Sequence, residues 1–335
     1  MGKSFSLKKI VRANSFALFL VTIVVILMFW FINKNYLSKN NILNIMYAMS
    51  FTGIIACGIG CLLISGAVDL SAGGTGCVAG VFAAVLMRAE IPWPAAIVIV
   101  LVFGFIAGAI NAFFANVLNF MPFIATIGMA SVWSGLAYVL GDGGAVAIGQ
   151  QNLGFYKLSS ATILNFIPLP FLIMAALFLI YGFILTRTPF GREIYMCGGN
   201  RAAARLAGIS PKKTTTVLFL NSGVVSALAG LLVAANNRMG SPMNVTGMEM
   251  SAIAAAILGG ISFMGGAGGM SGAFIGLLLI TCFNTGLISA GLPAYWQIGA
   301  QGVVLLVALL ADYFSSKARL KNISGPDTAK MFAAR

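Results

Sequence analysis

The sequence contains no histidine, and only seven of its 335 residues are acidic. Without imidazole the chain lacks the commonest metal ligand and the usual proton carrier at neutral pH. No cofactor or metal site is expected. Charged residues make up 8% of the chain, against about 25% in a soluble globular protein. That scarcity excludes a soluble domain with an anchor. No G-x-x-x-x-G-K-[ST] occurs, so the chain has no phosphate-binding loop of its own. The five cysteines (Cys57, Cys61, Cys77, Cys197, Cys282) show no paired loop spacing. Cys57 and Cys61 stand four apart in one apolar run and read as packing residues.

What is present is apolar sequence. Hydrophobic residues make up 60% of the chain, and its mean hydropathy is +0.99. A membrane β-barrel would alternate apolar and polar residues over segments of about ten. Here the apolar runs are continuous and reach about twenty residues, so an all-α polytopic membrane protein is expected. Ten blocks can be marked: 15–32, 45–64, 75–87, 94–118, 122–140, 167–185, 214–235, 252–263, 272–287 and 295–310. The third and eighth are too short to cross about 30 Å of hydrocarbon alone. Each adjoins a glycine-rich run, 71–77 or 265–270, which predicts broken or re-entrant helices beside a cavity. The first block has no small-residue cleavage site after it and reads as a retained span.

The net charge of +13 follows the positive-inside pattern and forms no stripe suited to nucleic acid. Four cations lie in the N-terminal tail (Lys3, Lys8, Lys9, Arg12), six between Arg187 and Lys213, and five from Lys317 to Arg335. The other five are Lys34, Lys39, Arg88, Lys157 and Arg238. With both tails and the central segment inside, an even number of spans fits. The reading is a cytoplasmic tail at 1–14, a membrane domain at 15–313 holding a cytoplasmic loop at 187–213, and a cytoplasmic tail at 314–335.

Several motifs carry two readings. Gly74-Thr-Gly76-Cys-Val-Ala79 matches a dinucleotide-binding pattern but opens an apolar helix rather than a soluble βαβ unit, so the match is rejected. Gly-x-x-x-Gly pairs (Gly76/Gly80, Gly104/Gly108, Gly268/Gly272, Gly272/Gly276) allow close helix packing. Asp69 is costly in a membrane; it reads as a helix N-cap for the third block, with Ser71 as an alternative, or as a contact to a polar permeant. Neutral polar residues interrupt the apolar blocks at Asn111, Thr126, Ser131, Asn221, Ser222, Asn284, Gln297 and Gln301. Such groups suit an uncharged, hydroxyl-rich solute or ordinary interhelical bonds, and they argue against an ion path.

The central polar segment is the most specific feature. Asn200 is suited to cap a short helix through Ala207, and Gly208 to stop it. Arg201 and Arg205 fall on one face at i, i+4, while Ala202 and Leu206 lie on another side. Like charges at that spacing weaken an isolated helix. The stripe therefore needs a partner: anionic headgroups or an acidic protein groove.

Four stretches, in order, resemble one family. They are NNILNIMYAMSFTGIIACGIGCLLISGAVDLSA at 40–72, NAFFANVLNFMPFIATIGM at 111–129, GREIYMCGGNRAAARLAGISP at 191–211 and GMEMSAIAAAILGGISFMGGAGGM at 247–270. Together they resemble the permeases of ribose-type ABC importers, across about residues 40–312. Two departures are Ser65-Gly-Ala-Val before Asp69, where a double glycine is usual, and Met250-Ser251, where leucine–aspartate is common. The resemblance implies that the chain carries a neutral sugar-like solute and performs no chemistry. It implies a permease homodimer or paralogous heterodimer in the inner membrane, two ATP-binding subunits, and a periplasmic or lipid-anchored solute-binding protein. The loop then couples to the ATPase through Gly191, Arg192, Gly198, Gly199, Asn200, Arg201, Ala204, Arg205 and Gly208. Asp69, Asn111, Asn221 and Glu249 are the translocation-path candidates. The alternative is a stand-alone secondary transporter or facilitator of a small polar solute.

Overall fold

The computed structural model describes residues 7–163, 166–293, 295–296, 299–300, 302–307, 309–310 and 313, with side chains from residue 16 onward. Twelve helices with residue bounds follow one another within it. They are α1 (Leu7–Ile32), α2 (Lys39–Ile64), α3 (Ala72–Arg88), α4 (Trp93–Ala112), α5 (Pro122–Leu140) and α6 (Leu153–Ser160), then α7 (Leu169–Arg187), α8 (Pro189–Gly199), α9 (Arg201–Leu206), α10 (Pro211–Asn237), α11 (Met248–Leu258) and α12 (Met270–Ser289). Proline occupies the first turn of α4, α5, α7, α8 and α10, where its missing N–H costs no hydrogen bond. A π-helical turn, Phe113–Val117, continues α4. Two short antiparallel pairs close loops: Val146–Ala147 with Met239–Gly240, and Thr162–Ile163 with Ile167–Pro168.

α2 and α10 form the centre and are the most buried of the long helices. α10 packs on α2, α3 and α4, and α2 also meets α7, α11 and α12. The Gly-x-x-x-Gly pairs sit where α3 and α4 cross α10 and where α12 crosses α11. A Cβ on Gly104 would stand 2.6 Å from the Gly223 carbonyl oxygen, and one on Gly276 2.1 Å from that of Ala255. Small residues thus let backbones touch, within the chain. The outer faces of α4, α5 and α7 expose large apolar side chains such as Val102, Ile124 and Phe183, as lipid-facing surfaces do.

The expected helical membrane fold is present, and its long helices by themselves do not account for about ten spans. Among the described residues, six helices are long and apolar enough to cross a membrane: α2, α4 with its π turn, α5, α7, α10 and α12. Three shorter apolar helices accompany them: 16–32, α3 and α11, the last of only 11 residues. The eighth apolar block, 252–263, does not coincide with α11, because Gly259 and Gly260 end that helix and put the block's last residues into a loop. The first glycine run does not break a helix. Gly73, Gly74 and Gly76 are helical, and α3 is continuous. The second run is the broken one, with left-handed φ at Gly265, Gly266 and Gly268. The tenth block, 295–310, is described only in part; Gln297, Gln301 and the C-terminal tail lie outside the described residues.

Candidate functional site

Three side-chain caps shape the central loop. The Thr188 hydroxyl accepts from Gly191 N–H at 3.1 Å and opens α8. Asn200 Oδ1 accepts from the N–H groups of Ala202 and Ala203 at 2.9 and 3.0 Å and opens α9. Ser210 accepts from Lys213 N–H at 3.4 Å and opens α10. Gly208, at φ +79, ends α9 as the sequence indicates, and Ile209 N–H returns to the Ala204 carbonyl at 3.0 Å. Ala204 is buried, whereas Arg192, Arg201 and Arg205 are exposed. Arg201 also donates to the Gly66 carbonyl at 3.4 Å. Leu206 is 91% exposed, next to Arg205. It is absent from the sequence-derived site residues. Its signal in the sequence was a large apolar side chain in the last turn of a short basic helix.

The glycines anchor this loop rather than face a partner. A Cβ on Gly191 would stand 2.2 Å from the Ile184 carbonyl, so only glycine lets α8 fold back on α7. Gly198 touches the end of α2: a Cβ there would stand 1.8 Å from the Ile64 carbonyl oxygen. That same oxygen accepts from Gly266 N–H at 2.8 Å. Tyr195 donates its hydroxyl to the Gly268 carbonyl at 2.7 Å. Burial pushes the Tyr195 hydroxyl and the Cys197 thiol up from their ordinary values, so both are neutral near pH 7. Gly199, by contrast, has open space beside it. α8 therefore holds both the segment leading into α3 and the segment leading into α12.

Asp69 stands between α2 and α3 and is buried. Its Oδ1 accepts from the N–H and hydroxyl of Ser71 at 2.9 and 2.7 Å, and its Oδ2 from the Ser222 hydroxyl at 2.7 Å. Asn111 Nδ2 donates to Ser71 Oγ at 2.7 Å and lies 3.4 Å from Asp69 Oδ1. The capping expectation is corrected here. Ser71 holds the N-cap position of α3 but makes no side-chain cap bond. Asp69 bonds Ser71 itself, short of the first-turn amides. The carboxylate instead ties the start of α3 to α4 and α10.

Glu249 approaches the same helix from α11. Its Oε2 would stand 2.0 Å from a Cβ on Gly73, so the glycine leaves room for a carboxylate against the first turn of α3. Asp69, Asn111 and Glu249 are thus brought around one helix start, where the helix dipole favours negative charge. Asn221 is not part of this group. It accepts the Tyr181 hydroxyl at 2.5 Å on the α7 side of α10. Asn111 Oδ1, Asn221 Nδ2 and Glu249 Oε2 are buried without a hydrogen-bond partner among the described residues. Such atoms are costly and uncommon.

A polar cavity of about 290 Å³ lies between α2, α11 and α12, lined by Thr52, Thr246, Ser251, Thr281, Asn284 and Thr285 among others. An adjoining apolar cavity of about 340 Å³ shares Ser251, Ile280 and Asn284 with it. None of the four path candidates lines either cavity.

The sequence matches, over residues 41–309, a family described as the permease component of the branched-chain amino acid transport system. The chain belongs to this permease family. It is 34% identical to the ribose import permease protein of Haemophilus influenzae over 313 residues, 93% of this chain and 96% of that one. It is 32% identical to the ribose import permease protein of Bacillus subtilis, covering 88% and 91% of the two chains. It is also 32% identical to the L-arabinose transport system permease protein of Escherichia coli, covering 85% and 86%. No solved structure gives a significant match. Within this permease family the chain's long apolar helices make it a multi-pass membrane protein.

Proposed function

We propose that this permease is the membrane subunit of an ABC importer that moves a neutral monosaccharide or sugar-like solute into the cytoplasm. The observation that carries the reading is the α8–α9 loop. It presents a capped, exposed helix with two arginines and a bare leucine, and it is packed through glycine onto the end of α2, just before the Asp69 segment, and onto the loop between α11 and α12. A displacement of α9 by a partner would therefore reach α3 and α12 through backbone contacts. The ribose and arabinose permeases among its relatives support a sugar as cargo, and the missing phosphate-binding loop supports ATP hydrolysis on separate subunits.

In this reading two permease copies pair with two ATP-binding subunits at α8–α9 and with a solute-binding protein on the opposite side. Both termini and the central loop are cytoplasmic, following the cation distribution. The three shorter apolar helices and the 295–310 segment add to the six long ones to give ten membrane segments. Asp69, Asn111 and Glu249 form the polar group of the path around the start of α3, with Asn221 behind it on α10.

The test is docking. ATP-binding subunits should co-purify with the wild-type chain. Charge reversal at Arg201 and Arg205 should abolish ATP-driven uptake while the permease still inserts. Normal co-purification and normal uptake in the double reversal would place docking elsewhere.

A further inference from the structure

The polar cavity includes no member of the carboxylate group in its lining and lies toward the end of the bundle away from the α8–α9 loop. α12 starts beside α8, through the Tyr195–Gly268 bond, and ends beside Asn33, whose amide donates to the Ser289 carbonyl at 2.8 Å. Thr281, Asn284 and Thr285 sit in the last turns of α12, and Thr246 and Gly247 at the start of α11. The cavity is therefore on the side away from the α8–α9 loop. Its lining holds hydroxyl and amide groups with apolar patches at Ala48, Met248, Ile280 and Ile288, and no charged side chain among the described residues. The hydroxyls of Thr52 and Thr281 and the amide of Asn284 make no hydrogen bond to the described residues. Its volume is close to the lower end of the range for small-molecule sites, about 300 Å³.

We infer that this cavity is the outer solute site of the permease, binding a single neutral polyhydroxylated ring of about pentose size. The inference rests on the proposed import of a sugar-like solute and locates the site of first contact within the chain. Neutral donors and acceptors can exchange bonds with sugar hydroxyls, and the apolar patches suit the C–H face of the ring. An amino-acid zwitterion fits less well: its ammonium group would meet no acid in the lining. Met248 lines the cavity and its neighbour Glu249 touches Gly73, so the floor of the site adjoins the carboxylate group. A solute leaving the cavity inward would meet that group next.

The experiment uses the complete transporter in right-side-out proteoliposomes, with labelled D-ribose, L-arabinose and leucine as probes. Thr281→Val with Asn284→Leu should lower uptake of whichever pentose the wild type carries by roughly tenfold at low concentration, the loss of two modest hydrogen bonds. Co-purification with the ATP-binding subunits should be unchanged, which separates this from misfolding. Independently, Asn284→Cys, at a half-buried lining position, should react with a membrane-impermeant maleimide added outside, over a low background from the permease, whose five native cysteines are buried. The transported pentose should slow that reaction. Wild-type pentose uptake with no effect of either variant, or protection by leucine alone, overturns the site assignment. A wild-type complex that carries another neutral monosaccharide but neither pentose overturns this inference alone and leaves the proposed function standing.

Discussion

Gly198→Ala puts the proposed link between α9 and the membrane helices to the test with a single methyl group. The new Cβ would stand 1.8 Å from the Ile64 carbonyl oxygen, a backbone atom that cannot rotate away. An ordinary C···O contact is about 3.3 Å, so α8 and the end of α2 must separate by about 1.5 Å. Overpacking of this kind costs about 1–3 kcal/mol. The Gly266 N–H bond to the same oxygen, 2.8 Å in the native chain, would be strained as well, adding up to about 1 kcal/mol. Gly199→Ala is the internal control. It adds the same methyl one residue later, where nothing lies within 4 Å and the backbone is not left-handed. Thermal unfolding of the detergent-solubilised permease and solute transported per ATP in the reconstituted complex are the two readouts. Gly198→Ala should lower the melting temperature by several degrees and reduce transport per ATP several-fold. Gly199→Ala should leave both near wild type. Equal behaviour of the two variants would refute the reasoning.

Two further outcomes follow from the geometry. Asp69→Asn retains an acceptor for Ser71 and lets the Ser222 hydroxyl rotate to accept, so the protein should fold normally. Losing the charge-assisted bonds weakens the cluster by about 1 kcal/mol or more, and uptake should fall; wild-type transport with Asn would assign Asp69 to structure alone. Gly208→Val forces a β-branched residue into a left-handed position, which costs about 1–2 kcal/mol. It should loosen the end of α9 and weaken co-purification of the ATP-binding subunits, whereas unchanged co-purification would remove that turn from the docking surface.

Much of the fold is legible because burial in lipid leaves long continuous apolar runs. Those at 45–64, 122–140 and 214–235 lie wholly within α2, α5 and α10. The loop was readable for a different reason: Asn200 and Gly208 have local conformational jobs that a sequence states directly. The helix bounds near glycine were not readable. Gly73 and Gly265 look alike in sequence, yet one is helical under a carboxylate and the other is left-handed between two chain segments. Only tertiary contact separates them. The same limit hid the partners of Asp69, since Ser222 is 153 residues away. It also hid the cavity, whose threonines are unremarkable in sequence and meet only when α11 and α12 pack on α2.

The most direct test of the account is ATP-driven solute uptake by the reconstituted complex. Proteoliposomes containing this permease, its ATP-binding subunits and its solute-binding protein should accumulate a labelled neutral monosaccharide only when ATP is supplied on the α8–α9 side. The permease alone should show neither uptake nor ATP hydrolysis. Equal uptake by the permease alone, without ATP or partners, would contradict the account and identify a stand-alone facilitator.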